Sequence, residues 1–455
     1  MSSVSHIVQT LEEVLNERAN SLAKETGFIQ RVRTFTGADF AQTMIFGWLQ
    51  EPDVTLDGST QILRRRKVEI SAPGLSQRFT LQSAQFMERI LQEVTQRQLH
   101  AQAVDIGLLR HFSAVYVEDS SSIVLPEQLA QVWRGCGGSQ GTSPSALKLF
   151  ARWDVLNGQL DGPVLTDGRH SDRRSPLPVE DLPDGCLYIA DLGFWGVARF
   201  SQIARRGQGR QKRRYFLSRL QPGVTLRRRN GAPIMLAGIL PQQVGERLEF
   251  GAVLGKERLP VRVCIERVPR EVGDQRRQEI RENAQDHGRV PSEEVLYLAD
   301  WTIIISNVPT RLATFDQVLI LLRLRWQIER LFRLWKEHGQ IDESRSHNPW
   351  RILTEIYSKL SAMVIQQWLL HEGCWQDPHR SLFKAAQIVR REATLLMRAL
   401  SKGDLEEVLT DIIGYMQSGC QLNTRKLRPN TSQFLMGEPH RWPVKKENTA
   451  CSLLT

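Results

Sequence analysis

Two apolar runs that each lead into an aspartate constrain the fold of this chain most. In "SAVYVEDSSSIVLP" the alternation of a β-strand places Val115, Val117 and Asp119 on one side, and "CLYIADLGFWG" repeats the pattern and leads into Asp191. We therefore expect both carboxylates at the C-terminal ends of strands, where the ligand and catalytic groups of α/β sheets collect. The sequence predicts an α/β fold with acidic groups at one sheet edge.

Each aspartate also has a simpler explanation. Asp119 precedes three serines and suits an Asx-turn, and Asp191 precedes a segment whose helix it could cap. Taken singly, these explanations are the better ones.

A third acidic candidate lies in "LRLRWQIERLFRLWKEHGQI", residues 322–341, which predicts one amphipathic helix. Its apolar stripe consists of Leu321, Leu324, Ile328, Leu331 and Trp335. A second stripe carries Arg325, Glu329 and Lys336. A solvated Arg–Glu pair, worth a few tenths of a kcal/mol, explains this stripe unless Glu329 has acidic partners elsewhere.

The first hundred residues predict short helices, including one at "ADFAQTMIFGWLQ" with Asp39 as its capping candidate. The stretch "STQILRRRKVEISAPGLSQRF" has the shape of a helix, a turn and a second helix that begins near Pro73. Ser76, Gln77 and Arg78 would then be exposed and able to enter a DNA groove. A packing subdomain explains the same stretch equally well.

Short β-like runs with glycine and proline punctuation follow from about residue 213 to 308. The chain is helical again after the Glu329 segment and ends in a polar, basic tail that we expect to be partly disordered. We predict three domains: a helical domain over 1–105, an α/β domain over 106–345 with a β-rich insertion at 213–308, and a helical domain over 346–455.

The net charge of +10 is concentrated in one stretch. Eleven Lys and Arg residues and no Asp or Glu lie between Arg199 and Asn230, and the remainder of the chain is close to neutral. Such a strip is typical of phosphate-backbone binding, although a solvated loop without a partner is the alternative. The six cysteines lack metal-ligand spacing, and no apolar run is long enough to span a membrane, so we expect a soluble, cytosolic protein.

Asp119, Asp191 and Glu329 together suit a site for Mg²⁺ or Mn²⁺, because hard cations prefer oxygen ligands. Two such ions would activate a water or a 3′-hydroxyl and stabilise the leaving oxygen of a phosphodiester. Arg325 lies one turn before Glu329 and Lys336 two turns after it, so both would flank a bound phosphate.

With these residues the chain resembles the DDE transposases of the insertion sequence four family. The spacing of Arg325, Glu329 and Lys336 matches the family's Tyr-Arg-Glu-Lys signature, and Asp119 and Asp191 match its first two aspartates in order and setting. The signature's tyrosine position holds Leu322, which has no hydroxyl to offer a phosphate. The resemblance spans roughly residues 30 to 350.

The resemblance implies a ribonuclease-H-like α/β catalytic core with a β-rich insertion, flanked by helical N- and C-terminal domains. It implies a bacterial, nucleoid-associated enzyme that binds double-stranded DNA at terminal inverted repeats as a synaptic homodimer. The enzyme would cleave the element's ends in a metal-dependent reaction and join them to target DNA. Trp301 matches a tryptophan that stacks on a flipped base, and a core tryptophan in an apolar strand is the alternative.

The predicted DNA contacts are the basic and polar residues near these motifs: Arg325, Lys336, Arg333, Trp301, Arg64, Arg65, Arg66, Gln77 and Arg78. Two other functions stay open. A non-catalytic repressor or inactive transposase copy would bind the ends without cleaving them, and a structure-specific nuclease would cleave without joining.

Overall fold

The computed structural model describes residues 3–32, 34–97, 103–137, 143–205, 213–286, 288–424 and 429–442. Its α-helices are α1 (Ser3–Glu12), α2 (Ala19–Glu25), α3 (Gly37–Gln50), α4 (Leu56–Arg65), α5 (Ala72–Ser76), α6 (Leu81–Gln96), α7 (Val197–Ala204), α8 (Arg270–Asp286), α9 (Glu293–Leu298), α10 (Phe315–Arg323), α11 (Trp326–Arg333), α12 (Pro349–Cys374), α13 (Leu382–Arg391), α14 (Ala393–Lys402), α15 (Leu405–Ser418) and α16 (Thr431–Leu435). Its strands are β1 (Val115–Val124), β2 (Ala146–Asp154), β3 (Leu160–Asp167), β4 (Leu187–Ala190), β5 (Tyr215–Arg219), β6 (Leu226–Arg227), β7 (Arg247–Leu254), β8 (Leu259–Arg267) and β9 (Trp301–Ser306).

The chain divides into two compact units. The first comprises Met1–Ile106, Tyr116–Leu177 and Trp326–Asn423, and the second comprises Gly107–Val115, Pro178–Arg325 and Thr424–Thr455. Each unit therefore combines segments that are distant in sequence.

The first unit is built around α12, a helix of 26 residues that is buried on almost every side. Its buried residues include apolar side chains and also Glu355, Lys359 and His371, so it is the central helix of this unit's core. Asn348 caps it by accepting from the amides of Trp350 and Arg351, and it packs against α3, α6, α13 and α15. The same unit holds an antiparallel sheet in which β2 lies between β1 and β3.

The predicted helices of the first hundred residues are confirmed, but Asp39 is not the N-cap of α3. Thr36 is the N-cap: its hydroxyl accepts from the Asp39 amide at 3.1 Å, and the Asp39 carboxylate accepts from the Thr36 amide at 2.9 Å. This reciprocal capping box places the N-cap three residues before the predicted Asp39 and starts the helix at Gly37.

The second unit contains a mixed sheet. β4 pairs in parallel with β5, and the remaining neighbours are antiparallel in the order β5, β9, β8, β7, β6. The predicted β-rich segment at 213–308 therefore does supply strands. Its first and last strands pair with each other, and β5 also pairs with β4, so one continuous sheet runs through the predicted boundary.

The segment is not wholly β, because it also contains α8 and α9. Only Val272 and Gly273 of the 17 residues of α8 are buried, so this helix has no apolar stripe from which it could be predicted. Tertiary contacts hold it: Arg276 donates to the carbonyl oxygens of Ala299 and Trp301, and Arg277 donates to Asp300 at 2.6 Å.

The C-terminal part follows the predicted helices with two differences. The helical run "SLFKAAQIVRREATLLMRAL", residues 381–400, was expected to form one helix and breaks at Glu392 into α13 and α14. Part of the predicted polar tail forms α16 in the second unit, where the Arg323 guanidinium lies 4.6 Å from the centre of the Phe434 ring. Residues 443–455 lie outside the described residues. Among the helices of the described part, none is both long and apolar enough to cross a bilayer.

Candidate active site

Asp119 was predicted to lie at the end of a strand, but it lies in the middle of β1. The three serines that follow it stay in the strand because they pair with β2, with Ser120 opposite Phe150 and Ser122 opposite Lys148. The Asp119 carboxylate is half-buried and accepts from the Ser120 amide at 2.8 Å. The serine run therefore extends the sheet, and the predicted strand end was wrong.

Asp191 directly follows β4, and its predicted position at a strand end is confirmed. It occupies the N-cap position of a short 3₁₀ turn, Leu192–Phe194, but its side chain accepts no capping hydrogen bond. Instead, its carboxylate lies 3.5 Å from Nε of Arg325. The Arg325 side chain is only 13% exposed and that of Asp191 is 38% exposed, so the pair leaves the acid accessible.

Glu329 lies in the first turn of α11, where a carboxylate interacts favourably with the helix N-terminus. The predicted single helix is interrupted at Leu324 and Arg325, whose amides bond to carbonyls three residues back instead of four. Arg325 therefore does not share a helix with Glu329. The predicted apolar stripe is nevertheless buried throughout, and α11 packs against β2.

Lys336 lies in a π-helical turn, Leu334–His338, that continues α11. Its Nζ donates to the carbonyl oxygen of Ser122 at 3.0 Å and lies 3.5 Å from Oδ2 of Asp342. The first unit thus brings Lys336 to the strand that carries Asp119. Single-turn π-helices are frequent at functional sites, because the extra residue redirects side chains.

The loop after this turn is anchored by Lys359 of α12. Its buried ammonium donates to the carbonyl oxygens of Gln340 and Glu343 at 2.9 Å each and pairs with Glu355 at 2.7 Å. Burial lowers the pKa of Lys359, and the Glu355 carboxylate opposes that shift. The anchored loop contains Asp342, the partner of Lys336.

Trp301 is buried, so its ring is not exposed for stacking on a base in this conformation. It is 6% exposed, its Nε1 donates to the Pro241 carbonyl oxygen at 2.8 Å, and its ring centre lies 5.0 Å from that of Tyr297. The alternative of a core tryptophan therefore describes this conformation. Leu322, at the signature's tyrosine position, is likewise buried.

Trp326 is an exposed aromatic residue near Glu329 that the sequence analysis did not single out. It is 54% exposed and lies three residues before Glu329, so both side chains lie on neighbouring positions of α11. The signal was available in the sequence, since Trp326 falls outside the apolar stripe of the segment. Arg333, one turn after Glu329, is also exposed, at 3.6 Å from Glu337.

The predicted helix, turn and helix near Pro73 are present as α4 and α5, although α5 has only five residues. Ser76, Gln77 and Arg78 are exposed as expected, and Arg64 and Arg65 are exposed at the end of α4. Arg66 differs, because it binds Asp39 at 2.8 Å and Ser401 at 2.6 Å. It serves the core of the first unit and is not available to DNA in this conformation.

The donor chemistry of the three acids fits a hard divalent cation, since all are carboxylates and all are partly exposed. Asp119 and Glu329 belong to the first unit and Asp191 to the second. Within the described ranges, no three His, Cys, Asp or Glu side chains are grouped closely enough to hold a metal ion. Residues 206–212 of the basic strip lie outside those ranges.

Comparison with known proteins identifies the family. The model described as "Transposase DDE domain" matches residues 110–365, which is more than half of the chain. The chain is 26% identical over 435 residues to the transposase for insertion sequence element IS231F of Bacillus thuringiensis subsp. israelensis, covering 88% of each chain. It is 23% identical over 380 residues to the transposase for insertion sequence element IS1151 of Clostridium perfringens, covering 77% of each.

The family match includes Asp119, Asp191, Arg325, Glu329 and Lys336. The resemblance inferred from the spacing of these residues is confirmed, and the family implies a ribonuclease-H-like fold for the matched region. On this evidence the chain belongs to the DDE transposase family.

Proposed function

We propose that this chain catalyses cut-and-paste transposition of its own insertion sequence. It binds double-stranded DNA at the terminal inverted repeats, cleaves to leave a 3′-hydroxyl, and joins that hydroxyl to a phosphodiester of target DNA. The support is the family match, together with relatives named as insertion-sequence transposases that the chain covers to 88% and 77% of their length. The structural observation that carries the proposal is the Lys336–Ser122 hydrogen bond, which links the Glu329 helix to the Asp119 strand.

Asp119, Asp191 and Glu329 would hold Mg²⁺ or Mn²⁺, two ions in the family's usual arrangement. Bound divalent ions supply charge stabilisation of the phosphodiester and an acidified nucleophile. Arg325 contributes a planar guanidinium that can hold a phosphate in two hydrogen bonds while it orients Asp191. Lys336 contributes a point charge beside β1, and releasing the Ser122 carbonyl would free its ammonium for a phosphate oxygen.

The end-recognition surface consists of Arg64, Arg65, Gln77 and Arg78, all exposed on α4 and the turn after α5. Arg66 is left out of this surface because Asp39 and Ser401 bind it. We propose that the two ends are paired by a homodimer, and that helical regions over 1–105 and 346–455 flank the catalytic region. The bacterial relatives suggest action on nucleoid DNA.

The test uses a duplex with the inverted repeats that flank the coding frame. The wild-type chain should release a 3′-hydroxyl end in Mg²⁺ and join it to a plasmid, and a chelator should abolish both reactions. Asp119→Asn should lose cleavage by at least about 100-fold while its affinity for the ends stays within about twofold. Glu337→Gln, an exposed acid on the same segment as Glu329, is the matched control and should cleave normally.

Three outcomes separate the candidate functions. Chelator-sensitive cleavage followed by joining supports the transposase. End binding without cleavage by the wild-type chain would support the repressor, and cleavage without joining would support the nuclease. Cleavage by Asp119→Asn at the wild-type rate would remove Asp119 from the catalytic centre.

A further inference from the structure

A basic pocket lies in the second unit, beside the residues that precede β1, β4 and β5 and the loop that follows β9. It has a volume of about 740 Å³ and is open to solvent. Its lining includes Arg110, His111, Arg213, Tyr215 and Arg311, and we call it the arginine pocket. No Asp or Glu contributes to the part of the lining that the structure describes.

The arginines come from three separate segments: the chain before β1, the chain before β5 and the loop after β9. Arg213 and Arg311 have no ion-pair or hydrogen-bond partner among the described residues. Their neighbour Arg214 shows the contrast, because it lies 3.7 Å from Asp184 and donates to the Glu180 carbonyl oxygen at 2.7 Å. Arg213 and Arg311 therefore bring to the pocket guanidinium groups that make no such contact with the described part of the fold.

The two segments that carry Arg213 and Arg311 are held rigidly together. Buried Asn307 accepts from the Phe216 amide at 2.8 Å and donates to the Arg214 carbonyl oxygen at 3.0 Å. Arg262 donates to the carbonyl oxygens of Val308 and Ala313, which closes the loop that carries Arg311. A preorganised cationic site loses little conformational entropy when it binds.

The arginine pocket is at the end of β4 opposite to Asp191. Gly185, in its lining, precedes β4, and Asp191 follows it. Six residue steps separate Gly185 from Asp191, which corresponds to roughly 20 Å along an extended chain. A phosphate held in the pocket is therefore not the phosphate that reacts at Asp191.

We propose that the arginine pocket binds the sugar–phosphate backbone of double-stranded DNA, independently of sequence, at a point removed from the reacting phosphodiester. The proposal goes beyond the catalytic function. An open pocket whose described lining holds guanidinium groups and no carboxylate complements a polyanion, and arginine binds phosphate oxygens through paired N–H groups. The basic sequence strip leads directly into this site, since Arg213 follows residue 212.

The test measures binding of the full chain to a short random-sequence duplex, in a chelator, by fluorescence anisotropy over a range of salt concentrations. The slope of log affinity against log salt is negative, and each lost phosphate contact reduces its magnitude by about 0.9. Arg213→Ala/Arg311→Ala should therefore reduce that magnitude by about 2 and weaken binding about tenfold. Arg281→Ala is the matched control, an exposed arginine of the same unit on α8.

Arg311→Glu tests the proposal without a double substitution in the scaffold and should weaken binding further. If Arg213→Ala/Arg311→Ala and Arg311→Glu showed the same salt slopes and DNA affinities as Arg281→Ala, the proposal would be overturned. Calorimetric binding of pyrophosphate that the double variant loses, with DNA binding unchanged, would also overturn it in favour of a small-phosphate site. Cleavage of the element's ends is assayed in parallel; failure there would contradict the catalytic proposal while the salt slopes still decide this one.

Discussion

The ammonium of Lys336 lies 3.0 Å from the carbonyl oxygen of Ser122, three residues beyond Asp119 on the same strand. The hydrogen bond joins a π-helical turn to strand β1 across more than two hundred residues of sequence. It fixes the Lys336 side chain beside β1, where a positive charge would neutralise a phosphate near Asp119. Asp342 and Lys359 keep the turn in place.

We expect Lys336→Ala to slow end cleavage by about 100-fold at saturating DNA, because a positioned charge on the reacting phosphate is lost. Lys336→Arg should restore part of the rate, since charge rather than shape is needed. Single-turnover cleavage of a labelled end measures both. Lys402→Ala, at the exposed end of α14, is the control. Equal rates for Lys336→Ala and Lys402→Ala would contradict the assignment.

The two tryptophans should respond differently to substitution. Trp326→Ala should weaken binding to an end with an unpaired base by about 1–3 kcal/mol and leave the melting temperature nearly unchanged, because its ring is exposed. Trp301→Ala should cost about 3–5 kcal/mol of stability, because its ring is buried. Thermal melts and anisotropy separate the two effects. A stable Trp301→Ala with a selective loss of unpaired-base binding would instead favour Trp301 as the stacking residue.

Replacing one member of the buried Lys359–Glu355 pair should lower the stability of the chain far more than replacing both members. Lys359→Met leaves the Glu355 carboxylate buried without its cation and should destabilise the chain by about 3–5 kcal/mol. Adding Glu355→Leu should recover a large part of that loss, as measured by chemical denaturation. If the double variant were less stable than Lys359→Met, the pair would not be the source of the effect.

His371 should make stability fall in mild acid. Burial lowers the pKa of His371 to about 3, from an ordinary value of about 6.5. Between these two pH values the imidazole is protonated in the unfolded chain and neutral in the folded chain. The free energy of unfolding is therefore unaffected by this group above pH 6.5. It decreases as the pH falls, by about 2 kcal/mol at pH 5.

The measurement compares the pH dependence of the melting temperature for the wild-type chain and His371→Leu. The variant should show a shallower decline between pH 6.5 and 5, although loss of the 2.8 Å contact to Gln367 lowers its stability at every pH. The exposed His347→Leu is the control. Identical slopes for the wild-type chain and His371→Leu would contradict the burial argument.

Local patterns were sufficient wherever the evidence lay within a few residues. The apolar stripe from Leu321 to Trp335 predicted which residues are buried, because helical period alone decides which face meets the core. The apolar run before Asp191 predicted β4 from the alternation of a β-strand. The spacing of Arg325, Glu329 and Lys336, together with Asp119 and Asp191 earlier in the chain, predicted the family, and the match over 110–365 confirms it.

Only the tertiary structure decided the features that depend on distant partners. The serines after Asp119 extend β1 because β2 pairs with them, and α8 forms without an apolar stripe because Arg276 and Arg277 bind groups at 299–301. Arg64 and Arg66 look alike in sequence, yet only Arg66 has Asp39 beside it. Local periodicity determines which face of an element is apolar, whereas hydrogen bonds and ion pairs between remote segments determine which polar side chains remain available for DNA.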